Sequence, residues 1–196
     1  MKFLTSQFGH PQGLLGHLVG IVMAYENRER NHWAVSLLTI RPEDYVLEIG
    51  FGPGLAIQEV ATVAREGFVA GIDQSAVMVQ QARKRTAATE TERVEIQQGS
   101  ITALPYCDVF FDKVYAINVL HHCAHSLQAL HEMWRVLKPG GLAAIVEQPR
   151  AATSDAQVQA LAEEWSAQLA AAGFTQIKRL FKPMRPATSI AVVGVK

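Results

Sequence analysis

This sequence lacks an excess of charge of either sign. Lysine plus arginine and aspartate plus glutamate each number 18 in the 196-residue chain. A protein that binds nucleic acid through its phosphates needs a basic surface, and that composition is missing here. We therefore expect a small-molecule partner and no nucleic acid.

Cysteine and long apolar runs are also scarce. The two cysteines, Cys107 and Cys123, form no C-x-x-C pair, and the polar residues after Lys2 do not resemble a signal peptide. The longest apolar stretch, Leu14 to Tyr25, is broken by two glycines and a histidine, and it is shorter than the ~20 residues that cross a bilayer. We expect reduced thiols, no transmembrane segment and a cytoplasmic location.

From residue 41 onward the sequence contains alternating strand and helix patterns. This alternation predicts an α/β fold with a Rossmann-like, doubly wound and mostly parallel sheet of seven strands. Ser75 is the expected N-cap of the helix after Asp73, and a strand is expected over Phe111–Ile117. The residues from Lys138 to Gly141 are expected to end a helix before a strand over Leu142–Glu147. The last two strand-like runs, Phe174–Phe181 and Ser189–Val195, are joined by a segment too short for a helical crossover. They are therefore expected to form a C-terminal antiparallel hairpin.

The first 40 residues have a different pattern. Two helices are predicted, over about 13–25 and 28–40, and together they form an N-terminal helical extension. The domain proper is then expected over residues 41–196.

The stretch Val46 to Gly54, VLEIGFGPG, is the centre of the pattern. An apolar strand buried on both faces runs into three glycines, whose lack of a Cβ allows a tight turn and close approach to a ligand. Asp73 lies 19 residues after Gly54, close to the ~20-residue offset at which a carboxylate meets ribose hydroxyls in such folds. Glycines that serve only strand-to-helix packing are the alternative.

The glycine spacing restricts the class of ligand that the loop can bind. A dinucleotide fingerprint beginning at Gly50 requires glycine at position 55, which is Leu55, and no G-x-x-x-x-G-K-[ST] loop occurs. The pattern that remains suits a ligand with a ribose but no diphosphate.

These motifs, taken in order, resemble class I S-adenosylmethionine-dependent methyltransferases, in the branch of ubiquinone, menaquinone and other small-molecule methyltransferases. VLEIGFGPG is similar to the family's first motif, GIDQS to its second-strand acid, FDKVYAINVLHH to its fourth-strand motif, and HEMWRVLKPGGLAAIVE to its following helix and strand. The resemblance implies S-adenosylmethionine as methyl donor, S-adenosylhomocysteine as product, a small-molecule acceptor and no metal.

Transferred position by position, the resemblance implies a set of cofactor-binding residues at the loops that follow the strands. They are Glu48, Gly50, Phe51, Gly52, Gly54, Asp73, Gln74, Ser100, Ile101 and Asn118. Among them, Asp73 is expected on the ribose hydroxyls and Gln74 and Ile101 beside the adenine. Ser100 stands where the family often has an acid, so any hydrogen bond that it accepts carries no charge.

The loop after the fourth strand holds the candidate catalytic residues, His121 and His122, because histidine suits proton transfer near pH 7. A loop histidine bonded to backbone is the structural alternative, and a metal site with His125 and Cys123 is less favoured because no fixed ligand spacing exists. The four residues from Asn118 are N-V-L-H, whereas DNA methyltransferases that modify amino groups have N-P-P-Y at this place. The sequence therefore does not support methylation of a DNA base.

The N-terminal extension supplies the candidate substrate pocket, since in similar enzymes it folds over the cofactor as a lid. The candidate residues are His10, His17, Tyr25 and His32, with ordinary packing roles as the alternative. Two other functions remain open: a methyltransferase-like binding module without turnover, and a lipid-headgroup N-methyltransferase resting on a membrane surface.

Overall fold

The computed structural model describes residues 28–87, 92–152 and 154–196. They form two compact units, one ending at Ile101 and one beginning at Thr102. The helix predicted over about 13–25 lies outside the described residues, as do His10, His17 and Tyr25. The predicted boundary at residues 40 and 41 stays a prediction.

The first unit alternates helices and parallel strands. Its elements are α1 Arg28–Leu37, β1 Tyr45–Ile49, α2 Leu55–Val63, β2 Phe68–Asp73, α3 Ala76–Thr86 and β3 Val94–Gln98. The strands lie in the order β3-β2-β1, with Leu47 opposite Ala70 and Ala70 opposite Glu95. The parallel pairing predicted from the alternation is confirmed for these strands.

The core of this unit follows from its apolar runs. Val46, Leu47 and Ile49 of β1 are buried, as expected for a strand covered on both faces. Ala56, Ile57 and Val60 form the buried side of α2. Ser75 caps α3 by accepting a hydrogen bond from the Met78 amide at 3.4 Å, which confirms it as the N-cap.

The second unit contains the remaining strands. Its elements are β4 Phe111–Ile117, a short 3-10 helix Leu120–His122, α4 Ser126–Val136, β5 Leu137–Glu147, α5 Asp155–Ala171, β6 Thr175–Lys182 and β7 Ser189–Val195. The strands lie in the order β4-β5-β7-β6. β4 and β5 are parallel, whereas β7 pairs antiparallel with both β5 and β6.

Strand β5 begins earlier than expected. The Pro139-Gly140-Gly141 stretch had the composition of a helix stop before a strand at Leu142, but the strand starts at Leu137, directly after α4. The register runs from Phe111 opposite Leu137 to Lys113 opposite Leu142, so an irregularity absorbs the extra residues. Proline and glycine therefore mark a bulge here and not a loop.

The fold class is confirmed: an α/β arrangement with seven strands, mostly parallel, and a C-terminal antiparallel hairpin. Within the described ranges, no helix combines the length and apolar character needed to span a bilayer.

Candidate functional site

The glycine loop after β1 has a left-handed backbone at each glycine. The φ angles are 66° at Gly50, 53° at Gly52 and 80° at Gly54. The Gly50 amide donates to the Ile72 carbonyl at 2.7 Å, which fixes the start of the loop beside the end of β2. Non-glycine residues rarely adopt this backbone, so the three glycines are required by the turn itself.

Gly52 and Gly54 differ in what surrounds them. A Cβ built on Gly54 would lie 2.7 Å from the Cβ of Ala82 in α3, so this glycine allows the loop and the helix to pack. A Cβ built on Gly52 would have no atom within 4 Å. Packing accounts for Gly54, whereas Gly52 borders open space of the kind that a ligand needs.

Asp73 joins the glycine loop to the start of α3. Its Oδ2 accepts a hydrogen bond from the Gly52 amide at 2.9 Å, and its Oδ1 accepts one from the Ser75 amide at 2.8 Å. The carboxylate is therefore held in a defined orientation at the carboxyl end of β2.

The other candidate cofactor residues of this unit occupy distinct positions. Glu48 and Phe51 are buried, with 3% and 4% of their surface exposed. The Gln74 carbonyl accepts a hydrogen bond from Nε2 of Gln98 at 2.9 Å, a contact that sequence patterns did not indicate. Ser100 is exposed and Ile101 is half-buried.

His32, the one candidate pocket residue within the described ranges, lies on α1. Its Nδ1 is 2.7 Å from Oε1 of Glu59 on α2, and the imidazole is largely exposed. The two residues border a cleft of about 530 Å³ that is also lined by Arg28, Asn31 and Gln58. The cleft makes His32 accessible to a ligand, and its role in a substrate pocket stays a prediction.

In the second unit, Asn118 uses its side chain to connect strand ends. Its φ is 54°, a left-handed conformation that asparagine tolerates better than most residues. Its Oδ1 accepts a hydrogen bond from the Gln148 amide at 2.7 Å, and Nε2 of Gln148 donates to the carbonyls of Arg185 and Ala187 at 3.0 and 2.9 Å. Asn118 and Gln148 thus tie the ends of β4 and β5 to the β6–β7 loop.

His121 pairs with a buried carboxylate in this unit. Its Nδ1 lies 2.6 Å from Oε2 of Glu147, the last residue of β5. The Glu147 side chain is 3% exposed, whereas that of His121 is 41% exposed. The pair places a buried carboxylate behind an imidazole that ligands can reach.

His122 lies beside His121. The ring centroids of His121 and His122 are 3.8 Å apart, and His122 is exposed. Among the residues that the structure describes, no three histidine, cysteine, aspartate or glutamate side chains are grouped to hold a metal ion. The independence from metal remains a prediction.

Comparison with known proteins identifies the family to which these motifs belong. The pattern of a methyltransferase domain matches residues 47–145, just over half of the chain. An uncharacterized methyltransferase of Bacillus subtilis, YdaC, is 34% identical over 180 residues, which cover 91% of this chain and 98% of the relative. Demethylmenaquinone methyltransferase of Symbiobacterium thermophilum is 37% identical over 103 residues, 52% of this chain and 41% of that protein.

A solved structure agrees with the fold. The crystal structure of a SAM-dependent methyltransferase from Aquifex aeolicus superposes with a TM-score of 0.66 at 20% identity, covering 84% of this chain and 88% of the other. The present chain therefore spans nearly all of YdaC but less than half of the quinone methyltransferase.

Proposed function

The chain belongs to the S-adenosylmethionine-dependent methyltransferase family, and from that premise we propose that it transfers the methyl group of S-adenosylmethionine to an oxygen, nitrogen or sulfur nucleophile of a small molecule. The observation that carries the proposal is the hydrogen bond between Asp73 and Gly52, because it joins the carboxylate expected on the ribose to a loop glycine that borders open space.

The residues of the first unit fit the cofactor. Asp73, oriented at the carboxyl end of β2 by its contacts to the Gly52 and Ser75 amides, would hold the ribose hydroxyls. Gly52 would admit the cofactor against bare backbone. The buried Phe51 supports the loop, because its ring packs against Gly71 of β2, where a Cβ would lie 2.7 Å from Cδ1 of the ring. When bound, the sulfonium supplies an activated methyl group.

The protein's part in such a reaction is mainly positional. Holding a nucleophile in line with the bond that breaks, at near-attack distance, supplies much of the acceleration. His121 and His122 are proposed as the groups that take a proton from an acceptor that has to lose one. The Asn118–Gln148 connection would keep the strand ends that carry them in place.

Calorimetric titration with S-adenosylhomocysteine tests the cofactor assignment. Because Asp73 also orients Gly52, loss of binding in Asp73→Ala alone would not separate a ribose contact from a collapsed loop. The titration is therefore repeated with an analogue that lacks the 2′-hydroxyl. We expect the wild type to bind the complete ligand about 10-fold or more tightly than the analogue, and Asp73→Asn to lose that preference.

A second pair of variants checks the space beside Gly52. Gly52→Ala places a methyl group in the proposed ligand space, whereas Gly140→Ala, in the β5 bulge, has the same left-handed backbone and an equally open surrounding. Only Gly52→Ala is expected to weaken binding. Equal effects, or no binding by the wild type, would refute the assignment, and binding without turnover on any acceptor would favour the binding-module function.

A further inference from the structure

We propose that Arg85 is a positioning residue for the cofactor: from the last turn of α3 it holds the second half of the glycine loop, Pro53 and Gly54, in the conformation that receives S-adenosylmethionine. The inference rests on the proposed function and adds to it a residue that sequence patterns do not indicate. It concerns the first unit alone, and it derives from a hydrogen bond between residues 32 positions apart in the chain.

Arg85 bonds to a buried backbone oxygen of the loop. Its Nε donates to the carbonyl oxygen of Pro53 at 2.9 Å, and the arginine itself is half-buried. Pro53 is buried and, as a proline, has no amide hydrogen, so the carbonyl is the one backbone group through which it can form a hydrogen bond. Because a buried carbonyl without a donor is costly, the contact with a charged donor stabilises this part of the loop.

The peptide group that Arg85 contacts is also held at its nitrogen. The Gly54 amide, which shares a peptide plane with the Pro53 carbonyl, donates to the carbonyl of Phe51 at 3.0 Å. A peptide group is planar, so contacts at its oxygen and at its hydrogen together fix the orientation of the plane. The ring of Pro53 restricts its φ, so few rotations separate this fixed group from Gly52.

The backbone of Gly52 is therefore held from two sides. On the side of β2, the carboxylate of Asp73 accepts the Gly52 amide hydrogen at 2.9 Å. On the side of α3, Arg85 holds the peptide group that follows Pro53, and Ala82 lies against Gly54. A ligand that lies against bare backbone depends on the position of that backbone, because a loop that becomes ordered only on binding lowers the affinity. Arg85 thus acts through the loop and not by touching the ligand.

Arg83 provides a comparison on the same helix. Its Nε and Nη2 donate to the carbonyl oxygen of Ile96 at 3.1 and 2.8 Å, so it joins α3 to β3. Both arginines hold a backbone carbonyl from the last turn of α3, and of the two it is Arg85 that holds one in the glycine loop. If these arginines only stabilise the helix, substitution of either should affect cofactor binding alike, whereas positioning of the loop predicts an effect for Arg85 alone.

Calorimetric titration of the full chain with S-adenosylhomocysteine separates the two roles. Arg85→Gln places an amide nitrogen the same number of bonds from the backbone as Nε, whereas Arg85→Met has a side chain of similar length without a donor. We expect the affinity of Arg85→Met to fall about 10-fold, that of Arg85→Gln to fall less, and Arg83→Met to bind like the wild type. Equal losses in the methionine and glutamine variants, or an equal loss in Arg83→Met, would overturn the inference.

Hydrogen exchange without ligand gives a second measurement, which also covers a variant that is less stable overall. The Gly54 amide should exchange about 10-fold faster in Arg85→Met than in the wild type or in Arg83→Met, while the amide of Val69 in β2 keeps its rate. Unchanged exchange at Gly54, or an equal increase at Val69, would contradict positioning of the loop by Arg85. Absence of S-adenosylhomocysteine binding in the wild type refutes the proposed function, whereas wild-type binding that Arg85→Met retains in full refutes only this inference.

Discussion

The carboxylate of Asp73 accepts the amide hydrogen of Gly52 at 2.9 Å, so the acid after β2 and the loop after β1 are fixed to one another. The other oxygen accepts from Ser75 at 2.8 Å and so fixes the start of α3 as well. A residue that sequence motifs predict to bind the ligand therefore also organises the loop that borders the proposed ligand space.

Asp73→Asn is expected to destabilise the protein without any ligand. An asparagine offers one acceptor oxygen to two amide donors, so either Gly52 or Ser75 loses its partner, at a cost of about 1 to 3 kcal/mol. Urea unfolding measures the loss, and faster hydrogen exchange at the Gly52 amide would locate it. The surface variant Glu66→Gln is the control and should unfold like the wild type. Unchanged exchange at Gly52 would contradict the contact.

Gly54→Ala should be more damaging than Gly52→Ala. Both substitutions place alanine in a left-handed conformation, which costs about 1 to 2 kcal/mol. Only the new methyl group at position 54 meets Ala82, at 2.7 Å, and overpacking adds about 1 to 3 kcal/mol. Urea midpoints of the two variants give the difference, and Ala82→Gly in the Gly54→Ala background should recover part of it. Equal losses would show that packing against α3 is not the reason for this glycine.

The Glu132–Arg135 pair should stabilise the protein only above acidic pH. The Arg135 guanidinium, through its hydrogen bonds, holds the pKa of Glu132 below its ordinary value near 4.5. A carboxyl with a lowered folded-state pKa adds stability above its unfolded-state pKa, and that stability is lost as the pH falls through the folded-state pKa.

Glu132→Gln is therefore expected to cost about 1 to 2 kcal/mol at pH 7, and the difference from the wild type should shrink as the pH falls below about 4.5. Denaturant unfolding at several pH values measures it. Glu163→Gln, which removes an exposed contact to Arg179, is the matched control and should show no measurable loss of stability at any of these pH values. A pH-independent difference would contradict the assigned cause.

The loss of stability on substitution of Asn118 should depend on two properties of the new residue. These are its tolerance of a left-handed backbone and whether its side chain has an oxygen that accepts a hydrogen bond. Asn118→Ala loses the hydrogen bond to the Gln148 amide and takes on the strain of a φ of 54°, for a combined cost of about 2 to 3 kcal/mol. Asn118→Gly relieves the strain, and Asn118→Asp keeps an acceptor oxygen. Thermal or urea unfolding should rank the losses as alanine above glycine above aspartate, and an equal loss for alanine and glycine would indicate that the backbone conformation is not strained.

Much of the architecture was predictable because periodicity is a local property. The range of β4 and the N-cap of α3 agree with the sequence patterns. The predicted start of β5 at Leu142 was wrong, because proline and glycine are typical both of a loop and of a bulge within a strand. Only pairing with β4 shows that the strand continues through them.

The sequence by itself determined the alternation of strands and helices, the glycine loop and the spacing of Asp73, since these depend on residue type and order along the chain. Tertiary structure decided that Gly54 is needed for packing and Gly52 is not, that Asp73 orients the loop, and that Glu147 lies behind His121. Those relations join residues 21 to 28 positions apart in the chain. Local patterns carry no information about such pairs, because only the packed fold brings their atoms to hydrogen-bonding or van der Waals distance.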